Sequence, residues 1–325
     1  MMKRGITMRK YGAVVLALIF VISTLLCGCS KTNDETAPET NTSTDSSETI
    51  EGEIIDFPED LSINWGTGEA ELSQYMIAEC DGRDILVLYL NYTNLSEEPK
   101  CMLDELSIDV FQKRVQIDLN NSGEQVDYDK IQDSLKQLQK GASISCTAEY
   151  VLPNTEDPLT IKLRAYDSND EEVSAESMLQ LSDAVSDEGD SIYAEKSDLE
   201  KSIKDGASIN WGEGEATLTG YAFEKGDGNW LNLYFDYSNF DDQNHSFSDE
   251  VHVTVFQDGV EQEYGSGEID YDVYNRIFSF VQNNGKVHCA MPFILNNDKG
   301  PITLRIMAYD ADYNEVVAEQ EITIK

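Results

Sequence analysis

The chain has 325 residues, of which 62 are Asp or Glu and 23 are Lys or Arg, so its formal net charge is −39. Apolar residues make up 40% of the sequence, which is enough for a packed core and excludes a wholly disordered chain. The charge excludes nucleic acid as a partner, because phosphate binding needs clustered Lys and Arg. The length is typical of two domains.

The first segment has the pattern of an export signal. Four basic residues precede a 15-residue apolar run, Gly12–Leu26, which is shorter than the roughly 20 residues of a membrane span. The run ends in Leu-Cys-Gly-Cys, which resembles the lipobox of bacterial lipoproteins. That resemblance implies cleavage after Gly28 and a lipid on Cys29, which would anchor the chain in the outer face of the cytoplasmic membrane. Residues 1–28 are therefore predicted as a lipoprotein signal peptide, with a plain signal peptide or an uncleaved anchor as alternatives.

Residues 29–60 are predicted as an acidic, disordered tether. From residue 30 to residue 60 the sequence holds ten acidic residues and one basic residue, and it has few side chains to bury. Such a spacer would hold the folded part of the protein away from the membrane.

The remainder of the chain repeats itself. Ser62–Tyr75 matches Ser208–Tyr221 at ten of 14 positions, and shorter matches follow at a nearly constant offset. We therefore predict two tandem domains, repeat one at 61–182 and repeat two at 207–325. The acidic segment 183–206 is predicted as a linker, in which apolar spacing also fits a short helix.

The periodicity of the repeats predicts strands. Apolar side chains alternate along Leu86–Tyr92 and again along Leu231–Tyr237, and Gly, Asn and Asp separate such runs. Residues 128–139 fit a helical face, and Tyr274 and Ile277 partly repeat it. We predict an all-β fold of two tandem β-sandwich domains, each with a short helical insertion.

A family resemblance rests on three features of repeat two: Val-Phe-Gln-Asp-Gly-Val-Glu at Val255–Glu261, the preceding strand Tyr237–Asn239, and a later hairpin at Tyr309. With these, both repeats resemble an uncharacterised domain of Gram-positive surface lipoproteins, which is similar to the immunoprotective extracellular proteins. The resemblance implies an immunoglobulin-like sandwich and no established activity. Residues 113–114, Lys-Arg, replace the Asp-Gly turn at 258–259. Because Gly accepts positive φ more easily than Arg, it stays open whether repeat one makes that turn.

Aromatic residues in repeated motifs are the candidate ligand-binding residues. Trp65 and Trp211 stand in Trp-Gly-x-Gly-Glu-Ala, where an exposed ring could stack on a sugar or peptide. The alternative is a core Trp beside a tight connection. Tyr128 and Tyr271 stand in Asp-Tyr-Asp, which could form an acidic and aromatic patch or could cap a helix.

One loop has part of the ligand pattern of a calcium site. Asp310, Asp312 and Asn314 place oxygens at positions 1, 3 and 5 of such a loop. Position 6 is Glu315, where the calcium loop requires Gly, so the alternative is a polar hairpin turn. No other metal and no cofactor is predicted.

The remaining chemistry-bearing residues show no catalytic pattern. The three histidines have neither zinc spacing nor a nucleophile motif beside them. Beyond Cys29, four cysteines remain, which we interpret as buried thiols, with a disulfide between Cys80 and Cys101 as the alternative.

These observations predict a lipid-anchored extracellular protein without enzymatic activity. Two tandem sandwiches on a tether suit the binding of an extracellular protein, peptide or glycan, because duplication favours avidity. One alternative is a cell-envelope hydrolase or enzyme inhibitor whose site is built from loops. A further alternative is a binder of calcium or of cationic peptides.

Overall fold

The alternation of apolar and polar residues forms antiparallel strands in both repeats of a computed structural model, which describes residues 52–120, 125–181, 199–225, 228–265 and 271–324. The strands of repeat one are β1 (Ile55–Asn64), β2 (Gly68–Cys80), β3 (Arg83–Asn94), β4 (Ser107–Gln112), β5 (Val115–Gln116), β6 (Ser143–Val151), β7 (Leu159–Tyr166) and β8 (Glu172–Leu179). Its short helices are α1 (Met102–Glu105) and α2 (Tyr128–Asp133).

The second half of the chain repeats this order. Its strands are β9 (Lys201–Ser202), β10 (Ser208–Asn210), β11 (Gly214–Lys225), β12 (Asn229–Asn239), β13 (His252–Gln257), β14 (Val260–Glu261), β15 (Glu263–Tyr264), β16 (Lys286–Leu295), β17 (Pro301–Tyr309) and β18 (Glu315–Thr323). Its helices are α3 (Phe247–Glu250), α4 (Tyr271–Asn275) and a 3₁₀ turn (Arg276–Phe278).

Each repeat packs two sheets around one core. In repeat one the sheets are β1-β2-β3-β6 and β5-β4-β7-β8. In repeat two they are β10-β11-β12-β16-β15, with β9 paired to β11, and β14-β13-β17-β18. The alternating residues of β3 and β12, among them Leu88 and Leu233, are fully buried between the sheets with residues of β7 and β17. The predicted all-β fold of two tandem sandwich domains, each with a short helical insertion, is confirmed.

Two segment boundaries differ from those expected. Strand β1 begins at Ile55, inside the predicted tether, because this stretch pairs with β2 and buries Phe57. The described end of the predicted linker, residues 199–206, contains β9 and no helix, because Lys201 and Ser202 pair with β11. This short strand places the neighbouring Glu200 over the first sheet of repeat two.

The turn between β4 and β5 matches its counterpart in repeat two. Lys113 and Arg114 have φ values of 49° and 66°, and Asp258 and Gly259 have 54° and 78°. Repeat one therefore makes the same turn despite its bulkier side chains. Contacts with repeat two support the unfavourable φ of Arg114, because its carbonyl accepts from the backbone N–H of Gln282 at 2.8 Å.

This turn joins the two repeats, which lie within one compact unit, 49–325. Val115 forms an antiparallel bridge with Val281 and is fully buried in the core of repeat two. The backbone N–H of Gln116 donates to the carbonyl of Phe280 at 2.8 Å. We call this contact the junction. It extends one strand tip of repeat one into the core of repeat two.

Candidate functional site

The repeated Trp-Gly-x-Gly motif packs the core and offers no ring to a ligand. Trp65 is 2% exposed and stacks on Tyr92, with 6.2 Å between ring centroids. A Cβ at Gly68 would lie 2.4 Å from Cζ2 of that indole, so the ring requires glycine there. The same arrangement occurs in repeat two with Trp211, Gly214 and Tyr237. Both tryptophans are therefore removed as candidates for ligand stacking, because burial excludes a partner from either face.

The Asp-Tyr-Asp motif starts a helix. The side chain of Asp127 accepts from the backbone N–H of Lys130 at 3.2 Å, which is the geometry of a helix N-cap. Tyr128, the first residue of α2, is 60% exposed and stays accessible. Its counterpart Tyr271 begins α4, and its side chain lies outside the described part of the structure.

The calcium-like loop forms a hairpin turn in which one carboxylate is already engaged. Oδ1 of Asp310 accepts from the backbone N–H groups of Asp312 at 3.0 Å and Asn314 at 2.8 Å. These hydrogen bonds, that of Asn314 foremost, lower the pKa of the Asp310 carboxyl. Asp167 in repeat one has the same role. Within the described ranges, no group of three or more His, Cys, Asp or Glu residues is arranged to hold a metal ion.

The four cysteines within the described residues are buried thiols. Cys80 and Cys101 form no disulfide. Burial raises the pKa of Cys146 to about 12 and also raises that of Cys289, so both remain thiols at neutral pH.

Gly28 and Cys29, predicted as cleavage and lipid-attachment sites, lie outside the described residues. No helix in the described part of the chain is long and apolar enough to cross a membrane.

Repeat two contains a buried polar cluster that sequence reasoning missed. The ring of His288 lies between two carboxylates, with Nδ1 2.7 Å from Oδ1 of Asp236 and Nε2 3.0 Å from Oε2 of Glu200. Tyr234 stacks on the imidazole at 5.8 Å. Nδ1 forms a hydrogen bond with Asp236, whereas Nε2 contacts Glu200 without the geometry of a hydrogen bond. Oε1 of Glu200 also accepts from Oγ1 of Thr219 on β11 at 3.0 Å. The cluster fastens β9 to the first sheet.

Along β16, His288 alternates with Val287 and Cys289, so its side chain lies on the sheet face opposite the core. That face is covered. The short strand β9 and the helix α4 lie over it, so the side chains of His288 and Glu200 are only 1% exposed. The one sequence signal was a histidine flanked by apolar residues on both sides, Val287 and Cys289.

A second feature of repeat two is a cluster of accessible aromatic rings, formed by Tyr264, Tyr274 and Phe278. We call it the aromatic surface. Tyr264 and Tyr274 are joined by a hydrogen bond between their hydroxyls at 2.8 Å, and the ring of Phe278 meets that of Tyr274 edge to face at 5.6 Å. Burial and this hydrogen bond raise the pKa of Tyr264, which keeps its hydroxyl neutral. Tyr264 and Phe278 are about half exposed.

The elements that carry the aromatic surface explain its position. Tyr264 lies on β15, which pairs with β16, while Tyr274 lies on α4 and Phe278 ends the following 3₁₀ turn. The packing beside it is tight, because a Cβ at Gly265 would lie 2.8 Å from the ring of Trp230. The rings therefore lie beside tightly packed residues and remain partly exposed.

Repeat one places aliphatic residues where repeat two has the aromatic surface. Leu119 bridges to Tyr150 as Tyr264 pairs with Phe293. Leu135 precedes Leu138 by three residues, as Phe278 precedes Val281. Leu138 and Val281 hold equivalent positions, because they bridge to Lys100 and His245 respectively. The aromatic character is thus specific to repeat two.

A family model matches the chain over residues 30–165 and 192–308, one match for each repeat. The family is described as a domain of unknown function, DUF5067. The chain belongs to the DUF5067 family. Both DUF5067 matches end before the hairpin tips at Asp167 and Asp310, and the second includes the aromatic surface. A comparison with curated proteins gave no match.

Proposed function

We propose that the chain is a non-catalytic binding protein, and that repeat two holds an extracellular protein, peptide or glycan on its aromatic surface. The observation that carries this proposal is the cluster of Tyr264, Tyr274 and Phe278, which has no aromatic equivalent in repeat one. Tyrosine combines a large apolar area with a hydroxyl, and tyrosines held in place by tight packing are common anchors of binding surfaces.

The buried polar cluster supports a non-catalytic role. Histidine between two carboxylates is a combination that general acid–base catalysis uses. Here His288 and Glu200 are almost fully buried beneath β9, so a substrate cannot reach them without moving that strand. The cluster serves the architecture, and the accessible chemistry of repeat two lies on the aromatic surface.

The proposed setting is the extracellular face of the cell membrane, with a lipid anchor at Cys29. The support is the lipobox resemblance and the acidic segment that separates it from β1, together with the likeness to Gram-positive surface lipoproteins. Metabolic labelling with an alkyne fatty acid tests this setting. Cys29→Ala should remove the label from the full chain, whereas Cys27→Ala should keep it. Equal labelling of both variants would rule out Cys29 as the attachment site.

The binding role is tested by capture from detergent-solubilised cell envelopes on immobilised residues 49–325. Phe278→Ser removes one ring of the aromatic surface, and Leu135→Ser removes an equally exposed side chain at the matching position of repeat one. We expect a specific partner to be captured by the wild type and by Leu135→Ser, and to be lost with Phe278→Ser. The same pair of variants is then compared in titrations with the purified partner, with wall glycan fragments as a second probe.

Two outcomes would overturn the binding role of this surface. One is a partner that both variants retain, which would place binding elsewhere. The other is conversion of wall glycans or peptides by the wild type, which would replace the non-catalytic proposal with a hydrolase.

A further inference from the structure

The junction consists of a hairpin tip of repeat one that inserts and a loop of repeat two that receives it. Among the described residues, repeat two has an equivalent tip and repeat one has an equivalent loop, and both of these are exposed to solvent. The inserting half is the tip that carries Val115, which is fully buried. Its counterpart is the tip of β13 and β14, where Val260 is 57% exposed. The receiving half is the loop that carries Val281, also fully buried. Its counterpart in repeat one carries Leu138, which remains partly exposed.

The uncovered halves have the backbone shape that the junction uses. The two tips make the same turn, as described above. The two receiving loops are held alike, because Asn94 N–H donates to the carbonyl of Ala142 at 3.1 Å and Asn239 N–H donates to that of Gly285 at 3.2 Å. Equivalent backbone groups are therefore available to form a bridge between Val260 and Leu138.

One contact of the junction, between Arg114 and Gly285, shows a compensating exchange of side chains. A Cβ at Gly285 would lie 3.0 Å from Cβ of Arg114, so the arginine requires a glycine opposite it. In the uncovered halves the glycine is on the tip, at Gly259, and the Cβ is on the loop, at Ala142. A contact between the uncovered tip and loop would therefore also place one glycine opposite one Cβ, with the glycine on the tip instead of on the loop.

The uncovered tip and loop carry opposite charges, which the two halves of the junction do not. The basic tip 113–114 meets the loop 280–285, which has no charged residue. The tip of repeat two is acidic, with Asp258 and Glu261, and the loop 136–142 carries two lysines. These lysines also pair with carboxylates of their own repeat, but such exposed pairs are weak and exchange readily. Opposite charges therefore face each other in the uncovered combination.

We propose that copies of this chain associate head to tail, with Val260 of one copy seated on Leu138 of the next. The contact is heterologous, so it leaves one free tip and one free loop on each pair and can continue into a chain. Within one molecule the junction gains from covalent linkage, which a contact between copies lacks, so association is expected to be weak and concentration-dependent. The proposal does not depend on the aromatic surface.

Cysteine trapping with residues 49–325 tests the proposal. Leu138→Cys and Val260→Cys are made as separate proteins, mixed and mildly oxidised, while the described native thiols remain buried. The residues that bridge at the junction form a non-hydrogen-bonded antiparallel pair, whose spacing suits a disulfide. We expect the crossed dimer to form at least about tenfold faster than with Tyr313→Cys, an exposed control site, which corresponds to roughly 1.4 kcal/mol. A chain carrying both substitutions should give a ladder of oligomers.

Two controls complete the test. Val115→Cys with Val281→Cys in one chain should close an internal disulfide at the junction. Lys140→Glu should slow the crossed reaction, and Asp258→Lys on the other partner should restore it. Crossed dimers that form no faster than with Tyr313→Cys would overturn the proposal. Equally fast self-pairing of Val260→Cys would also overturn it, because that outcome indicates a symmetric contact.

Discussion

The two repeats share one sandwich fold but close the outer face of their first sheet by different chemistry. In repeat one, the buried carboxylate of Glu149 accepts the backbone N–H groups of Val126 at 3.1 Å and Asp127 at 2.8 Å. In repeat two, His288 joins the carboxylates of Asp236 and Glu200. The core between the sheets uses equivalent strand positions in both repeats, such as Leu88 and Leu233, so the comparison teaches that the chemistry diverges most on the outer face.

The largest effect is expected from a substitution in the polar cluster that covers the outer face of the first sheet in repeat two. His288→Ala empties the site of a buried ring and removes its hydrogen bond to Asp236, and the loss of a large buried side chain typically costs about 3–5 kcal/mol. We expect a loss of that size in the free energy of unfolding, measured with urea. His252→Ala changes an exposed histidine of the same repeat and should stay within about 0.5 kcal/mol. If both variants lost equally little, the cluster would not fasten β9.

A smaller difference in the free energy of unfolding is expected between substitutions at the two equivalent hairpin tips, which carry Val115 and Val260. Val115→Ala removes two buried methyl groups at the junction and should cost about 2 kcal/mol in the free energy of unfolding. Val260→Ala makes the same change at the exposed tip and should cost less than about 0.5 kcal/mol. Urea unfolding of both variants measures the difference. Equal losses would mean that the junction contributes nothing to stability.

The smallest effect concerns a feature that both repeats share. Hydrogen bonds lower the pKa of Asp310 and of Asp167 below 3.8, so they stabilise the folded state above that pH. Their contribution should be lost as the pH falls through the lowered pKa values of the folded protein. Asp310→Ala and Asp167→Ala should each cause a slight destabilisation at pH 7 that disappears in acid, as read from thermal unfolding at several pH values.

Calcium provides the control for this last comparison. Because Oδ1 of Asp310 already accepts backbone hydrogen bonds, millimolar calcium should leave the melting temperature unchanged. A marked rise with the wild type that Asp310→Ala abolishes would restore the calcium interpretation of Asp310, Asp312 and Asn314.

Much of the fold follows from local sequence pattern. The alternation around Leu88 and Leu233 places one face of β3 and β12 in the core, and the tandem repetition predicts that both halves fold alike. Asp127 was recognisable as a cap, because an acid before a short helical pattern suits the N-terminus of a helix.

The remaining features depend on contacts between distant segments. The burial of His288 is decided by β9, a two-residue strand in a polar linker with no strand pattern of its own. The positive φ of Arg114 is supported by residues 282–285 of the other repeat. Phe278 follows Tyr274 at helical spacing, but Tyr264 lies on a separate strand, so its proximity to Tyr274 cannot be read from spacing along the chain.

The tryptophan and glycine packing has a consequence for how members of this family are grouped. Trp65 with Gly68, and Trp211 with Gly214, satisfy a steric requirement of the core that holds whatever the protein binds. A search keyed on that motif will collect chains of the same architecture and will carry no information about their ligands. Sorting those chains by the residues that correspond to Tyr264, Tyr274 and Phe278 would instead separate those that share the proposed binding surface from those that lack it.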